Sequence, residues 1–267
     1  MSDENSTPQG QIVSDREGSI CWITFCNPSR MNALNSAMWA SLPAIVADAE
    51  ADDSVHVVVL RGAGTRAFSA GADISEFSSA RSGEAAQAYN ELNHNAFGAV
   101  MNCAKPTIAM VQGYCMGGGL ELALCCDLRY AGEGASFAIP SARLGIGYDP
   151  RWIRPLLSAL SASQVKEVLY TGRRFSDTEA LRMGMISHLC PSDALESETR
   201  ALAQMISQNA PLAVYAAKRC VDEFLNNPEN PDMEALDKLV AECFASEDYA
   251  EGQSAFAEKR KPVFKGK

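Results

Sequence analysis

The chain has 267 residues, of which 47% are hydrophobic and 7% aromatic, and its net charge is −10. This length fits one large domain, or a core with a smaller appendage. The acidic balance argues against a nucleic-acid partner, which needs a basic face. No apolar run approaches the ~20 residues of a membrane helix, and residues 1–10 are polar and acidic, so we expect neither a membrane span nor a signal peptide.

The nine cysteines predict no disulfide framework, because they are odd in number, scattered and without C-x-x-C spacing. Cys125 and Cys126 are adjacent, which is a poor geometry for a bridge. We therefore expect reduced cysteines that pack as small core residues in a cytoplasmic protein. His56 and His94 lack partners at metal-ligand spacing, so we expect no metal site.

The N-terminal part of the chain alternates predicted strands and helices. After a disordered segment over residues 1–10, the hydrophobic patterns predict strands over 18–26 and 55–60 and helices over 37–52 and 83–102. The glycine-rich residues 61–77 are predicted to be irregular. Three shorter strands are expected at 107–111, 127–131 and 136–139. Successive strand–helix units predict an α/β core.

The chain beyond residue 150 is predicted to be mainly helical. The expected helices are 161–171, 176–183, 193–208, 212–226, 233–246 and 248–261. So many short amphipathic helices usually pack on something larger, and neighbouring subunits are a candidate. The last ten residues, EKRKPVFKGK, carry five cations and one acid, which suits either a solvated tail or a site for an anion.

The stretch 106–127 holds the most informative pattern. An apolar strand, a turn at Gly113 and glycines at 117–119 lead into LELALCC, which has the composition of a buried helix. Free N–H groups and the positive end of a helix dipole meet there, and glycines let another molecule come close. Glu121 lies in the first helical turn. Packing glycines and a carboxylate that favours the dipole explain the pattern equally well.

Two other motifs are weaker. The G-x-G-x-x-A pattern at 62–67 fits a dinucleotide fingerprint, but Gly71 breaks the helix that should follow. Ser69, Asp177 and His188 follow the chain order of an α/β-hydrolase triad. That motif needs the serine directly at a strand end, so we interpret Ser69 as a turn serine and His188 as a half-buried strand residue.

The remaining signal is a pair of glycine-rich turns. FSAGADI offers the N–H of Ala72, and GGG offers the N–H of Gly118 at a helix start. Converging on one carbonyl oxygen, these amides would form an oxyanion hole. Such chemistry needs an acid–base group nearby. Glu121 is the first candidate and Asp149 the second, although an aspartate before a proline is equally typical of a plain turn.

Taken together, these motifs resemble those of the crotonase superfamily, also called the enoyl-CoA hydratase/isomerase family. The resemblance rests on segments that span nearly the whole chain: NPSRMNALN, AFSAGADI, PTIAMVQGYCMGGGLELALCCDLRYAG, FAIPSARLGIG, TGRRFSDTEALRMGMI and EDYAEGQSAFAEKRKP. It implies an α/β fold, the crotonase (ClpP-like) spiral of ββα units over 11–195, with a helical trimerisation region over 196–267. It also implies a trimer or hexamer, an acyl-CoA thioester substrate, and no cofactor beyond the coenzyme A of the substrate.

The resemblance also implies roles for individual residues. The oxyanion-hole amides would be those of Ala72 and Gly118. The positions that would contact the acyl group or coenzyme A are Arg30, Met31, Ala70, Ala72, Asp73, Ile74, Gly117, Gly118, Phe256 and Lys259.

The catalytic pair departs from the pattern of hydratases in this family, which use two glutamates. The first matches Glu121, but Ser141 stands at the second position. Asp149 is placed similarly to the aspartate of dienoyl-CoA isomerases, and its loop resembles that of aryl-CoA dehalogenases. We expect hydration of 2-enoyl-CoA, with Glu121 as acid/base and Asp149 as its candidate partner. The alternatives are an enoyl- or dienoyl-CoA isomerase, a hydrolase- or dehalogenase-like enzyme using Asp149, and a non-catalytic acyl-CoA-binding subunit.

Overall fold

The described residues form two β-sheets with helices packed around them. The computed structural model describes residues 10–76 and 84–267. The strands are β1 Gln11–Glu17, β2 Ile20–Cys26, β3 Val57–Gly62, β4 Ala67–Ser69, β5 Thr107–Val111, β6 Tyr114–Met116, β7 Leu128–Gly132, β8 Ser136–Ala138, β9 Phe175–Ser176 and β10 His188–Cys190. The helices are α1 Ser36–Ala51, α2 Glu84–Met101, α3 Gly118–Cys125, α4 Ile153–Ala159, α5 Ala162–Thr171, α6 Asp177–Met183, α7 Leu195–Ser207, α8 Pro211–Asn226, α9 Met233–Ala245 and α10 Glu247–Glu258.

From β3 to β8, consecutive strands alternate between the two sheets. The larger sheet has the order β1-β2-β3-β5-β7-β10, and the smaller has the order β4-β6-β8-β9. All neighbours are parallel except the pairs β1–β2 and β8–β9. The pair β3–β4 is followed by α2, and β5–β6 is followed by α3. The predicted spiral of ββα units is therefore confirmed.

The strand β3 is apolar without alternation because both faces of its sheet are covered. Val58 and Leu60 face the main core, whereas Val57 and Val59 pack in a second cluster with side chains of α7. A parallel strand that is buried on both faces has no solvent side on which polar residues could stand. The continuous run of this strand follows from that position.

The helix α1 begins where the sequence predicts. The Asn35 side chain accepts a hydrogen bond from Met38 N at 2.8 Å, which caps the helix. The buried face of the helix includes Trp39 and Leu42, both with no exposed surface. Capping and burial together fix the start of α1, and they place the Trp39 ring in the interior.

The last three helices leave apolar side chains on the surface. Asp248 accepts hydrogen bonds from Lys265 N at 2.7 Å and Gly266 N at 2.8 Å, which ties the basic tail back onto α10. No helix in the described ranges is long and apolar enough to span a membrane. The exposed apolar side chains of these helices include Val221, Phe224, Leu225, Val240, Phe244 and Phe256.

Several short elements differ from the sequence-based expectation. The strand β1 precedes the predicted strand start, and Gly18 lies in the turn between β1 and β2. The strand β4 lies within residues predicted to be irregular, and α4 was not predicted. The predicted disordered segment 1–10 lies outside the described residues, except for Gly10. The division of the chain between residues 195 and 196 stays a prediction.

Candidate active site

Glu121 is a buried carboxyl group in the first turn of α3. Gly117 caps this helix with a φ of 51° and donates its N–H to Ala138 O at 2.8 Å. The Glu121 side chain is held inward, so the residue is 1% exposed. The Tyr148 hydroxyl donates a hydrogen bond to Glu121 Oε2. Within the described residues, Oε1 is buried without a hydrogen-bond partner.

Burial changes the protonation of this group. Desolvation raises the pKa of Glu121 to about 8, although the hydrogen bond from Tyr148 acts in the opposite direction. At neutral pH the carboxyl and carboxylate forms are therefore both accessible. A group with a pKa near the working pH is suited to general acid–base catalysis.

Two backbone amides lie beside this carboxyl group. Leu34 N donates to Gly71 O at 2.8 Å and Asp73 N donates to Leu34 O at 2.9 Å, so hydrogen bonds fix the backbone on both sides of Ala72. Gly118 is the first residue of α3, where the N–H has no partner inside the helix. Neither the Ala72 nor the Gly118 amide donates to an acceptor in the described part of the chain.

The two amide-bearing segments approach closely because Gly71 has no side chain. A Cβ at Gly71 would lie 2.7 Å from Met116 O and 3.1 Å from Gly118 N, and the φ of 89° also favours glycine. The adjacent glycines serve internal packing. A Cβ at Gly118 would lie 3.2 Å from the Trp39 ring, and one at Gly119 would lie 2.7 Å from Ser69. The packing interpretation therefore applies to these two glycines, while the Gly118 N–H remains without a partner among the described residues.

The carboxyl group and the amides share one cavity of about 150 Å³. Its walls are mainly apolar, and this accounts for the desolvation of Glu121. Ser141 lines it at the position where the family resemblance would place a second glutamate. The lining residues are Ala70, Ala72, Ile74, Asn93, Phe97, Gly117, Gly118, Glu121, Ile139, Pro140, Ser141, Leu144, Ile146, Gly147, Tyr148 and Trp152.

Tyr148 is a site residue that the sequence reasoning missed. Its ring packs edge-on against Trp152, with centroids 5.9 Å apart, and Trp152 in turn packs on Phe97 at 5.4 Å. Phe97 then contacts Trp39 at 5.5 Å. This chain of rings connects the loop after β8 with α1 and α2. The signal in the sequence was a tyrosine in the glycine-punctuated loop LGIGYDP, next to the candidate aspartate.

Asp149 does not belong to the cavity lining formed by the described residues. Its carboxylate accepts hydrogen bonds from Arg151 N at 3.0 Å and from Arg151 Nη2 at 2.8 Å. Arg151 also donates to Glu91 Oε1 of α2 at 2.6 Å. The hydrogen bond from Arg151 holds the pKa of Asp149 below its usual range. A role of Asp149 in proton transfer stays a prediction.

The three residues that follow the chain order of a hydrolase triad, Ser69, Asp177 and His188, each bind a different partner. Ser69 Oγ donates to Asn32 O at 2.8 Å and accepts from Gly71 N at 3.0 Å, so it supports the turn that carries Ala72. Asp177 accepts from Gly134 N at 2.7 Å. His188 Nε2 lies 2.7 Å from Glu198 Oε2, in a group with Cys190 whose potential ligand atoms lie within 4.8 Å of one another. A Ser–Asp–His triad is not assembled by these contacts.

Comparison with known proteins covers nearly the entire chain. The sequence profile of the family described as "Enoyl-CoA hydratase/isomerase" matches residues 15–267. The chain belongs to this family. The chain is 31% identical over 250 residues to the short-chain-enoyl-CoA hydratase of Clostridium acetobutylicum, with 94% of this chain and 95% of the relative covered. It is 36% identical over 260 residues to the carnitinyl-CoA dehydratase of Escherichia coli, with 94% and 97% covered.

Solved structures of the family share this fold. An enoyl-CoA hydratase/carnithine racemase from Magnetospirillum magneticum matches with a TM-score of 0.92 and 37% identity, over 96% of both chains. An enoyl-CoA hydratase from Bacillus anthracis matches with a TM-score of 0.87 and 29% identity, over 96% of this chain and 99% of that one. The predicted enzyme class and the crotonase fold are confirmed at the level of the family.

The structure places the expected substrate-contact positions in different surroundings. Ala70, Ala72, Ile74, Gly117 and Gly118 line the cavity of Glu121, and the Ile74 side chain is 72% exposed. The remaining positions lie outside that lining within the described residues: Arg30, Met31, Asp73, Phe256 and Lys259.

Arg30 and Asp73 form an ion pair beside the cavity. Arg30 Nη1 lies 2.9 Å from Asp73 Oδ1. Burial raises the pKa of Asp73, but the hydrogen bonds from Ser75 and Arg30 outweigh it and hold the pKa below its usual range. Phe256 is 88% exposed, and Lys259 follows α10 in a left-handed conformation. Contacts of these residues with coenzyme A stay predictions.

Proposed function

We propose that the protein hydrates 2-enoyl-CoA to 3-hydroxyacyl-CoA through an enolate of the thioester. The observation that carries this proposal is the position of Glu121, a buried carboxyl group with a free Oε1 among the described residues, beside two unbonded amides in one apolar cavity. This arrangement supplies the two things that enolate chemistry requires. It offers fixed dipoles for a developing oxyanion, and it offers a group that moves protons.

In the proposed reaction the thioester oxygen accepts hydrogen bonds from Ala72 N and Gly118 N. Negative charge develops on that oxygen as the oxygen of water bonds to the β-carbon. The Glu121 carboxylate takes a proton from this water, and the α-carbon receives one proton from the resulting carboxylic acid. One water is consumed, and Glu121 returns to its starting form. Preorganised donors of this kind typically contribute on the order of 10²–10³ each to the rate.

The wider proposal concerns the assembly, cofactor and location of the protein. The exposed apolar side chains of α8, α9 and α10 support a homotrimer, or a hexamer built from two trimers. Proton transfer next to a thioester needs only a base and an oxyanion site, so we propose no separate cofactor. Coenzyme A enters as part of the substrate. The nine free cysteines support a reducing, cytoplasmic location.

Glu121→Gln tests the proposal directly. We expect turnover of 2-enoyl-CoA to fall roughly 10²–10⁴-fold, because the amide cannot exchange the catalytic proton. Acyl-CoA binding, measured by calorimetry, should remain, since the amide keeps the size of the side chain. The matched control is Glu242→Gln, at an exposed position on α9. Full activity of Glu121→Gln would contradict the proposal.

A second candidate is double-bond isomerisation, in which one carboxylate carries a proton between two carbons. The position of Ser141 in the cavity favours it, because a serine cannot supply the second carboxylate of a two-glutamate hydration. Separate incubations with 2-enoyl-CoA and 3-enoyl-CoA distinguish the reactions. Hydration gives 3-hydroxyacyl-CoA, whereas isomerisation only interconverts the two substrates. A hydrolase would release free coenzyme A, which a thiol reagent detects.

A further inference from the structure

Among the described residues, the Tyr148 hydroxyl is the hydrogen-bond partner of the Glu121 carboxyl group. It donates to Oε2, while Oε1 has no partner in the described part of the chain. The two carboxyl oxygens are therefore not equivalent. Tyr148 and Glu121 both line the cavity, together with Ala72 and Gly118. Oε1 is the oxygen that remains for a proton of the substrate or of water.

Two sets of contacts hold the segment that carries Tyr148. Its ring contacts Trp152, which lies against Phe97 of α2. The next residue, Asp149, accepts a hydrogen bond from Arg151, and Arg151 also binds Glu91 of α2. These contacts attach the segment 148–152 to α2 through one aromatic contact and one ion pair. The direction of the Tyr148 side chain is thus set by packing on two rings of the cavity wall and by charged contacts outside the lining.

We propose that Tyr148 is a positioning residue that holds Glu121 Oε2, so that Oε1 alone exchanges protons with the acyl-CoA. This inference rests on the proposed function. Because the hydroxyl donates to the carboxyl group, it stabilises the charged form and sets the pH range in which Glu121 acts as a base. Position 141 carries a serine and no second acidic side chain, so Tyr148 is the residue that supports Glu121. Asp149 has an indirect role, since it holds Arg151.

The elements around α3 carry several titratable groups, but few of them affect the pKa of Glu121. In the described ranges, burial and the Tyr148 hydrogen bond are the influences on its pKa. Burial and the negative charge of Glu121 raise the pKa of Tyr148, so the phenol stays a neutral donor. Apart from Glu121 and Tyr148, the titratable groups with described side chains on α3 and on the packed segments α2, β6, 148–152 and α4 are Cys125, Tyr89, Glu91, His94, Tyr114, Cys115, Asp149, Arg151 and Arg154.

Tyr148→Phe tests the inference, because it removes the hydroxyl and keeps the ring. The assay is solvent deuterium exchange at the α-carbon of butyryl-CoA between pH 6 and pH 9.5, which reports proton transfer whether the enzyme hydrates or isomerises. Loss of the hydrogen bond to the charged form should move the midpoint of the profile upward by about one unit. We expect exchange to fall about tenfold at pH 7 and to approach the wild-type rate at the alkaline end.

An unchanged midpoint, or an equal loss of exchange at every pH, would overturn the positioning role, because a structural defect lowers the rate without moving the midpoint. Absence of exchange in the wild type would instead contradict the proposed function. Tyr170→Phe, at a 73% exposed side chain, is the control and should match the wild type. If Tyr148→Phe fails to fold, 3-fluorotyrosine at position 148 keeps the ring and the hydroxyl but makes the hydroxyl a stronger donor, so it should move the midpoint downward, and an unchanged midpoint would again overturn the inference.

Discussion

The carboxyl group of Glu121 destabilises the folded chain for the same reason that it suits proton transfer. Its pKa is raised by burial from 4.5 to about 8. Below pH 4.5 the folded and unfolded states both carry the proton, so the ionisation of this group does not affect stability. Between pH 4.5 and pH 8 the unfolded state loses its proton while the folded state keeps it. Stability therefore falls as pH rises through this window, by on the order of 5 kcal/mol at most.

Glu121→Gln should consequently stabilise the protein at alkaline pH. We expect the Tm of this variant to exceed that of the wild type by several degrees at pH 8.5, because the amide has no charge to bury. The difference should shrink towards zero below pH 4.5, where the wild-type carboxyl group is protonated in both states. Thermal unfolding across this pH range measures it. A difference that does not depend on pH would contradict the assigned burial of charge.

The residues that the sequence identified are those whose roles arise locally. Glu121 and Gly118 belong to one strand–glycine–helix pattern, and Ala72 belongs to a short glycine turn, so spacing alone suggested an acid beside two amides. Tyr148 lies 27 residues from Glu121 along the chain, and only the fold brings them into contact. The aspartate beside it was the stronger candidate because a carboxylate is the more common acid–base group. Its pairing with Arg151 could not be read from spacing.

At the scale of elements, the segment 148–152 contributes Tyr148 and Trp152 to the cavity wall. Its ionic connection to α2 consists of Asp149, Arg151 and Glu91. Its aromatic connection consists of Trp152 against Phe97. The ionic connection is partly exposed, so its contribution to global stability is small. Its effect is local, because it orients the residue that touches Glu121.

Asp149→Asn distinguishes a structural aspartate from a catalytic one. We expect kcat/KM to fall less than about tenfold, since the variant weakens the hold on Arg151 and leaves Glu121 and Tyr148 in place. Glu91→Gln, which alters the other acid bound to Arg151, should give a small loss in the same direction. Steady-state kinetics at pH 8 measure both variants. A loss of roughly 10² or more in Asp149→Asn alone would identify Asp149 as a proton-transfer group.

Long elements were predictable from the sequence and short ones were not. The helices α1, α2 and α8 and the buried strand β3 carry enough repeats of their pattern to be recognised. The strands β4, β6 and β9 have two or three residues each, and their pairing partners define them. The strand β1 is largely exposed at the sheet edge, so its sequence lacks the apolar alternation of a half-buried strand.

At the scale of the whole molecule, the C-terminal helices expose several large apolar side chains. Phe244 is 62% exposed and Val240 is 42% exposed, both on α9. Phe244 packs edge-on against Tyr249 of α10, at 5.3 Å between ring centroids. A patch of this kind marks a contact surface. We therefore place part of the proposed subunit interface on α9 and α10.

Phe244→Glu should shift the assembly towards smaller species. A charge in a buried apolar contact is unfavourable, so we expect sedimentation velocity to show dissociation of the trimer or hexamer. The matched control is Lys238→Glu, which also adds negative charge to α9 but removes no apolar side chain. That control should keep the wild-type sedimentation profile. Unchanged sedimentation of Phe244→Glu would remove α9 from the interface.

The amide of Ala72 is coupled to the beginning of α1. Leu34 binds the backbone on both sides of Ala72, and the next residue, Asn35, caps the helix. A local opening that frees this helix end should release the Ala72 amide from its position, while the sheets remain intact. Such openings require less free energy than global unfolding. We therefore expect a warmed sample to lose activity at a lower temperature than that at which it loses the fold.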